Sequence, residues 1–101
     1  MNPLPTHDAF AGCLNHKFRI HIDGSEPLEA ELVEVSEHLV TPRQERFAIV
    51  FRTANDRFLG QGTRHIEHDQ LGQFDLFLVP IAKDEAGTYY ESCFNRLVKR
   101  A

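Results

Sequence analysis

The hydrophobic pattern of this chain changes period once, near residue 16. Before that point Phe10, Cys13 and Leu14 recur at i, i+3 and i+4, a narrow apolar stripe of helical spacing. Thr6 is placed to cap that helix, Asp8 lies in its first turn where a negative charge suits the helix N-terminus, and Asn15 is a plausible stop. So short a helix is not stable alone and must dock on something, with Phe10 and Leu14 toward the sheet.

After residue 16 the period is 2. Phe18, Ile20 and Ile22 alternate with Lys17, Arg19 and His21, a half-buried strand that ends at the turn Asp23-Gly24-Ser25. Residues 28–36 form a second strand with Leu32 and Val33 on opposite faces. The span from Glu37 to Glu45, with Pro42, reads as a polar loop. Residues 46–52 supply a third strand, with Phe47, Ile49 and Phe51 on one face. A fourth runs near 62–68 with Ile66 inward, a fifth over 71–82, and a sixth over about 88–97 with Tyr90 and Phe94 sharing a face. Six strands joined by short turns predict a mainly β fold. It is an antiparallel meander closing into a small barrel or sandwich, with one N-terminal helix, in a single domain over 1–101.

The fifth strand raises a question. Phe74, Leu76 and Leu78 make one apolar face, while the other begins polar at Gln73 and Asp75 and turns apolar at Phe77, Val79 and Ile81. A strand apolar on both faces needs cover on both. The barrel core takes the first row, so Phe77, Val79 and Ile81 need either the N-terminal helix or another molecule. Pro80 lacks a backbone donor and belongs at an edge or bulge, which puts this end of the strand near an open edge. The expectation is that Phe77, Val79 and Ile81 contribute to a homo-oligomeric or particle contact.

Composition narrows the classes. A chain of 101 residues, 42% hydrophobic and 26% charged, is large enough for one core, and eight Phe with no Trp give it an aromatic character. A net charge of −4 argues against a general nucleic-acid binder, and Arg96 to Arg100 reads as a solvated terminus. The opening residues lack the pattern of a signal peptide, and no apolar run is long enough for a membrane span. Cys13 and Cys93 are therefore expected as two reduced, buried thiols in a cytoplasmic protein.

Several residues invite chemistry. His65 and Glu67 share a strand face, and a metal site there would need a third donor such as His21 or His16. Cys93 with a histidine base, or Asp75 paired with Glu91, would be catalytic sets. Cys93 reads better as a packed thiol and the others as exposed polar side chains on a sheet face, so no catalytic residue, metal or cofactor is assigned. Gly60, Gly62 and Gly72 make no phosphate-cradling pattern and read as turns or bulges.

The C-terminal half carries a resemblance. Gln61-Gly62-Thr63, Glu67-His68, Leu71-Gly72, Leu76-Phe77-Leu78-Val79-Pro80, Tyr90-Glu91 and Phe94-Asn95 resemble the pattern of a family of small bacterial proteins classed as a domain of unknown function. A weaker match covers the N-terminal helix and residues 32–37. Arg64 departs from the pattern, standing where an aromatic is expected. The resemblance implies genes near those for phage-tail-collar-like proteins, hence an accessory role in a tail-like particle, and it implies no reaction or cofactor. It also marks Gln61-Gly62-Thr63 and Glu67-His68 as places to look for a special role, against a plain reading in which Gly62 fixes a turn and Glu67 or His68 satisfies backbone groups. Three functions stand side by side: a structural or assembly protein that binds a protein partner or itself, a small-ligand-binding barrel, and an enzyme. The first suits the chain best.

Overall fold

The computed structural model describes residues 4–97. Helix α1 spans His7–Ala11, and strands β1 to β7 span Lys17–Ile20, Leu28–Val35, Leu39–Val40, Gln44–Thr53, Gly62–His68, Gly72–Asp84 and Gly87–Leu97. Six of them close an antiparallel barrel in the order β1-β2-β4-β7-β6-β5 and back to β1, with β3 added outside on β4. The expected mainly β barrel with one N-terminal helix is present. Its order departs from one continuous up-and-down run at a single connection. The segment 54–61 crosses the barrel end, so that β4 pairs with β7 and β5 pairs with β1.

That crossover is held by the core. Tyr90 and Leu59 are both buried, and the Leu59 N–H donates to the Tyr90 hydroxyl at 2.9 Å, so the phenol satisfies a backbone group as it packs. Phe18, Ile20, Leu32, Ile49, Phe51 and Ile66 are fully buried, and they come from the alternate positions that the period of 2 marked as inward. At the β6–β7 turn, Gly87 sits at φ +156° against β4. A Cβ there would collide with the Thr53 carbonyl oxygen, so only glycine lets the hairpin lie this close.

The barrel is not hydrogen-bonded all the way round. From Gly72 to Leu78, β6 pairs with β5, and it joins β7 only from Val79 onward. Strand β7 pairs with β4 along its whole length, but residues 92–97 have no partner on β6. Here α1 closes the wall. Phe10 is fully buried, packing edge-on against Phe74 of β6 at 5.8 Å and against Phe94 of β7 at 5.5 Å, while Phe94 stacks on Phe47 of β4 at 4.5 Å. Thr6 caps the helix as expected, accepting from the Ala9 N–H at 3.1 Å. Asn15 adopts the left-handed conformation at φ 71°, which asparagine tolerates, and so turns the chain into β1.

Three expectations change. Leu14 is exposed, because α1 ends at Ala11 and the tight turn that follows sends Cys13 inward and Leu14 out. The polar span 37–45 contains β3, whose Leu39 and Val40 pair with Arg46 and Glu45 in a hairpin closed at Thr41. Cys93 is exposed, since its position is on the outer face of β7, while Cys13 is buried; both are free thiols. The Arg64 position shares its side of β5 with Ile66 and His68. Its half-buried guanidinium turns to the Gly60 carbonyl at 2.8 Å at the barrel mouth, where an aromatic would have packed.

Replacing Phe10 by Ala should cost about 3–5 kcal/mol in urea unfolding, since it removes the ring that joins β6 to β7. Leu14→Ala should stay within about 0.5 kcal/mol. A Phe10→Ala loss no larger than that of Leu14→Ala would show that the helix does not close the barrel.

Candidate functional site

The outer flank of β6 is the first candidate. Phe77 is 51% exposed and Ile81 49%, with Val79 half-buried between them in the row. Val79 opens the pairing with β7, opposite Glu91, and a bulge at Ile81 follows Pro80, the setting in which a strand accepts proline. The helix does not cover this row, because Phe10 is spent on Phe74 and Phe94. Only Leu4, ahead of the helix, reaches a shallow groove between Phe77 and residues 92–96 of β7. The two covers foreseen from sequence are thus unequal, and most of the row stays open to solvent.

The polar candidates resolve into histidine pairs. All six histidines lie ring against ring: His7 with His38 at 4.6 Å, His16 with His68 at 5.3 Å, and His21 with His65 at 5.2 Å. Folding brings them together from the helix, the turns and the strand ends, which spacing along the chain does not reveal. His21 and His65 sit on the outer face of β1 and β5 with Glu67, as the shared strand face foresaw. His21 Nε2 contacts Glu67 at 3.0 Å, and Arg19 joins Glu67 at 3.4 Å and Asp69 at 2.8 Å. Two ring nitrogens of His65 face acceptors, Asp75 at 2.8 Å and Gln73 at 3.0 Å. Both must donate, so this ring favours its charged form. The Asp75 hydrogen bond, then that of Gln73, raises its pKa above the ordinary value.

Asp75 and Glu91 do not form an acid–base pair. Asp75 lies opposite His65 on β5 and Glu91 opposite Val79 on β6. Nor is Cys93 armed as a nucleophile. Partial desolvation of the sulfur and its 3.5 Å hydrogen bond to Glu91 both push the thiol pKa up, and a raised pKa means less thiolate.

The third pair gathers the one group of donors among the described residues with metal-like proximity. Cys13, His16 and His68 bring one donor atom each within 4.8 Å of the others. Cys13–His16 was not singled out as a set in the sequence, although its spacing of three on a turn was there to see. Proton bookkeeping tests the fit. His68 Nδ1 accepts from the backbone N–H groups of Gln70 and Leu71, each at 3.1 Å, so it carries no proton. The neutral ring then has its proton on Nε2, which donates to His16 Nδ1 at 3.2 Å. A metal on Nε2 would require that proton on Nδ1, where two N–H groups already point. Burial also raises the Cys13 pKa and keeps its thiol protonated. The set does not fit a divalent cation. His68 is instead a buried neutral cap on the β5–β6 turn, with its pKa lowered by desolvation and then by His16. That is the plain role foreseen for the Glu67-His68 strand end, and Gly72, at φ 84°, completes the same turn.

These features define a small antiparallel β-barrel domain with paired polar groups and an open apolar flank. The chain belongs to the family described as a domain of unknown function, DUF6916, whose model matches residues 5–94. No curated protein and no solved structure matches it. Among the described residues no helix is long and apolar enough to cross a membrane.

Two measurements check this site. In an NMR titration of the histidine ring protons, His65 should protonate above, and His68 below, the ordinary histidine value of about 6.5. Thermal midpoints should not move on adding EDTA or a reductant; a drop of several degrees with EDTA would mean that the Cys13 donor group holds a metal after all.

Proposed function

We propose that this chain is a non-enzymatic assembly or accessory protein that acts through protein–protein contacts, with Phe77, Val79 and Ile81 contributing to the contact. The observation that carries the reading is the half-exposed Phe77 and Ile81 on one row of β6, beside strand ends that β6 and β7 leave unpaired. Exposed apolar rows next to an unpaired edge are where partners attach. The accessory role in a tail-like particle that the sequence resemblance implies, and the cytoplasmic location expected from the two free cysteines, both suit a domain whose work is contact. The ligand-binding alternative is less well supported, because Tyr90, Phe18, Phe51 and other fully buried side chains occupy the barrel interior. The polar clusters satisfy one another, which favours a contact role over catalysis.

Phe77→Asp tests the proposal. The variant should keep its circular dichroism spectrum and run as a smaller species than the parent in light scattering. A parent that is monomeric at high concentration, with a variant that unfolds, would make Phe77 a core residue and end the reading.

A further inference from the structure

The three histidine pairs differ in one respect. Within His7/His38, Asp8 lies 3.2 Å from His7 and Glu45 lies 2.8 Å from His38, with Arg96 in turn on Glu45. Within His21/His65, Glu67 and Asp75 take the corresponding places. Each of these pairs has carboxylates to receive a proton's charge. Among the described residues His16/His68 has none in contact. The groups that face it are Cys13 from the turn after α1, Lys17 and Arg19 from β1, and Asp69 from the β5–β6 turn, whose carboxylate is already bound to Arg19 at 2.8 Å. Phe18 packs beneath the His68 ring at 4.4 Å.

A second proton has no place in this pair. On His68 it must go to Nδ1, against the N–H groups of Gln70 and Leu71. On His16 it must go to Nδ1, against the Nε2–H of His68. Either way two donors meet head to head at contact distance, in a site where His68 is only 5% exposed. Charging the pair therefore separates it.

We propose that His16 and His68 form an acid-opened latch, which at neutral pH holds the turn after α1 against the β5–β6 turn and on protonation releases it. The segment that moves carries Cys13, 3% exposed and part of the core, one turn beyond Phe10. The opposite end of α1 stays anchored, because His7 Nε2 donates to the Ser36 carbonyl at 2.9 Å and its ring stacks on His38. Opening is thus local and uncovers the edge of the aromatic cluster that closes the barrel. The sign follows from the lowered His68 value: the latch contributes its full stability above the ordinary histidine pKa and loses it as pH falls below.

Cys13 reports the opening. In a Cys93→Ser background it is the single thiol, and its reaction with 4,4′-dithiodipyridine, normalised to free cysteine at the same pH, gives its protection. Between about pH 7.5 and about pH 5.5 that protection should fall severalfold, since one proton changes an opening equilibrium by at most about tenfold per pH unit. His68→Asn keeps a side-chain acceptor for the Gln70 and Leu71 N–H groups and removes the titration, so its protection should be flat across the range. His38→Asn, which alters the carboxylate-buffered pair, should behave as the parent. Protection in the parent that does not change with pH overturns the latch, as does an undiminished fall in His68→Asn or a flat profile in His38→Asn. Should His68→Asn not fold, ring-proton NMR of the Cys93→Ser protein decides: His68 must protonate over the same pH interval in which Cys13 is exposed, and protonation with Cys13 still protected refutes the proposal.

Discussion

Phe10 is the contact on which the closed barrel depends. Where β6 and β7 part company, no backbone ladder joins them, and the wall between Phe74 and Phe94 is completed by one ring from a helix of five residues. Helix and barrel need each other in a physical sense. So short a helix has no stability of its own, and the split barrel would expose its aromatic end without it. Phe47, Phe94 and His7 extend the cluster, so that the cap Thr6, the ring of Phe10 and the left-handed Asn15 serve one purpose. They deliver an aromatic plug to the gap and return the chain to β1.

The same geometry explains why the polar groups come in sets. Closing six antiparallel strands brings β1 beside β5, which are far apart in sequence, and their outer faces are rich in histidine and carboxylate. Arg19, His21, His65, Glu67, Asp69 and Asp75 then neutralise one another across the register. Most are substantially exposed, so solvent screens them and each adds little to stability. Their effect is on charge state: His65 is held toward its cation and Glu67 and Asp69 toward their anions. His68, buried against Phe18 with backbone donors on Nδ1, is pushed the opposite way.

Strand periodicity made most of the fold legible, because each inward row, from Phe18-Ile20 to Phe74-Leu76-Leu78, is written in alternation that a half-buried strand requires. Thr6, Phe10 and the glycine turns were legible for the same local reason. What failed to show were facts of closure. Leu14 fits a helical stripe as well as Phe10 does, and only the early end of α1 at Ala11 decides that it points outward. Cys93 alternates with inward residues, but the barrel leaves its face bare, so a residue type that is usually buried lies in the open. The histidine pairs join residues between 31 and 52 positions apart, as with His7 and His38 or His16 and His68, and no local spacing encodes them. The crossover at 54–61 is likewise invisible to periodicity, since strand order is set by which edges meet.

An unpaired pair of strand ends beside an apolar row invites unwanted strand pairing, and the details of this flank limit it. Leu4 and Phe10 fill part of the gap, Asp75 puts a charge at the start of the row, and Pro80 with the bulge at Ile81 interrupts the regular pleat a foreign strand would need. On the far side β3 is only two residues long and is followed by Pro42, a short and blunted edge. These devices act against indiscriminate strand addition while leaving the side chains of Phe77 and Ile81 available. A surface that blocks backbone pairing but exposes aromatic and branched side chains favours a partner of matched shape over an arbitrary extended chain. That selectivity would serve the proposed contact role, and it follows from where the ladder between β6 and β7 stops.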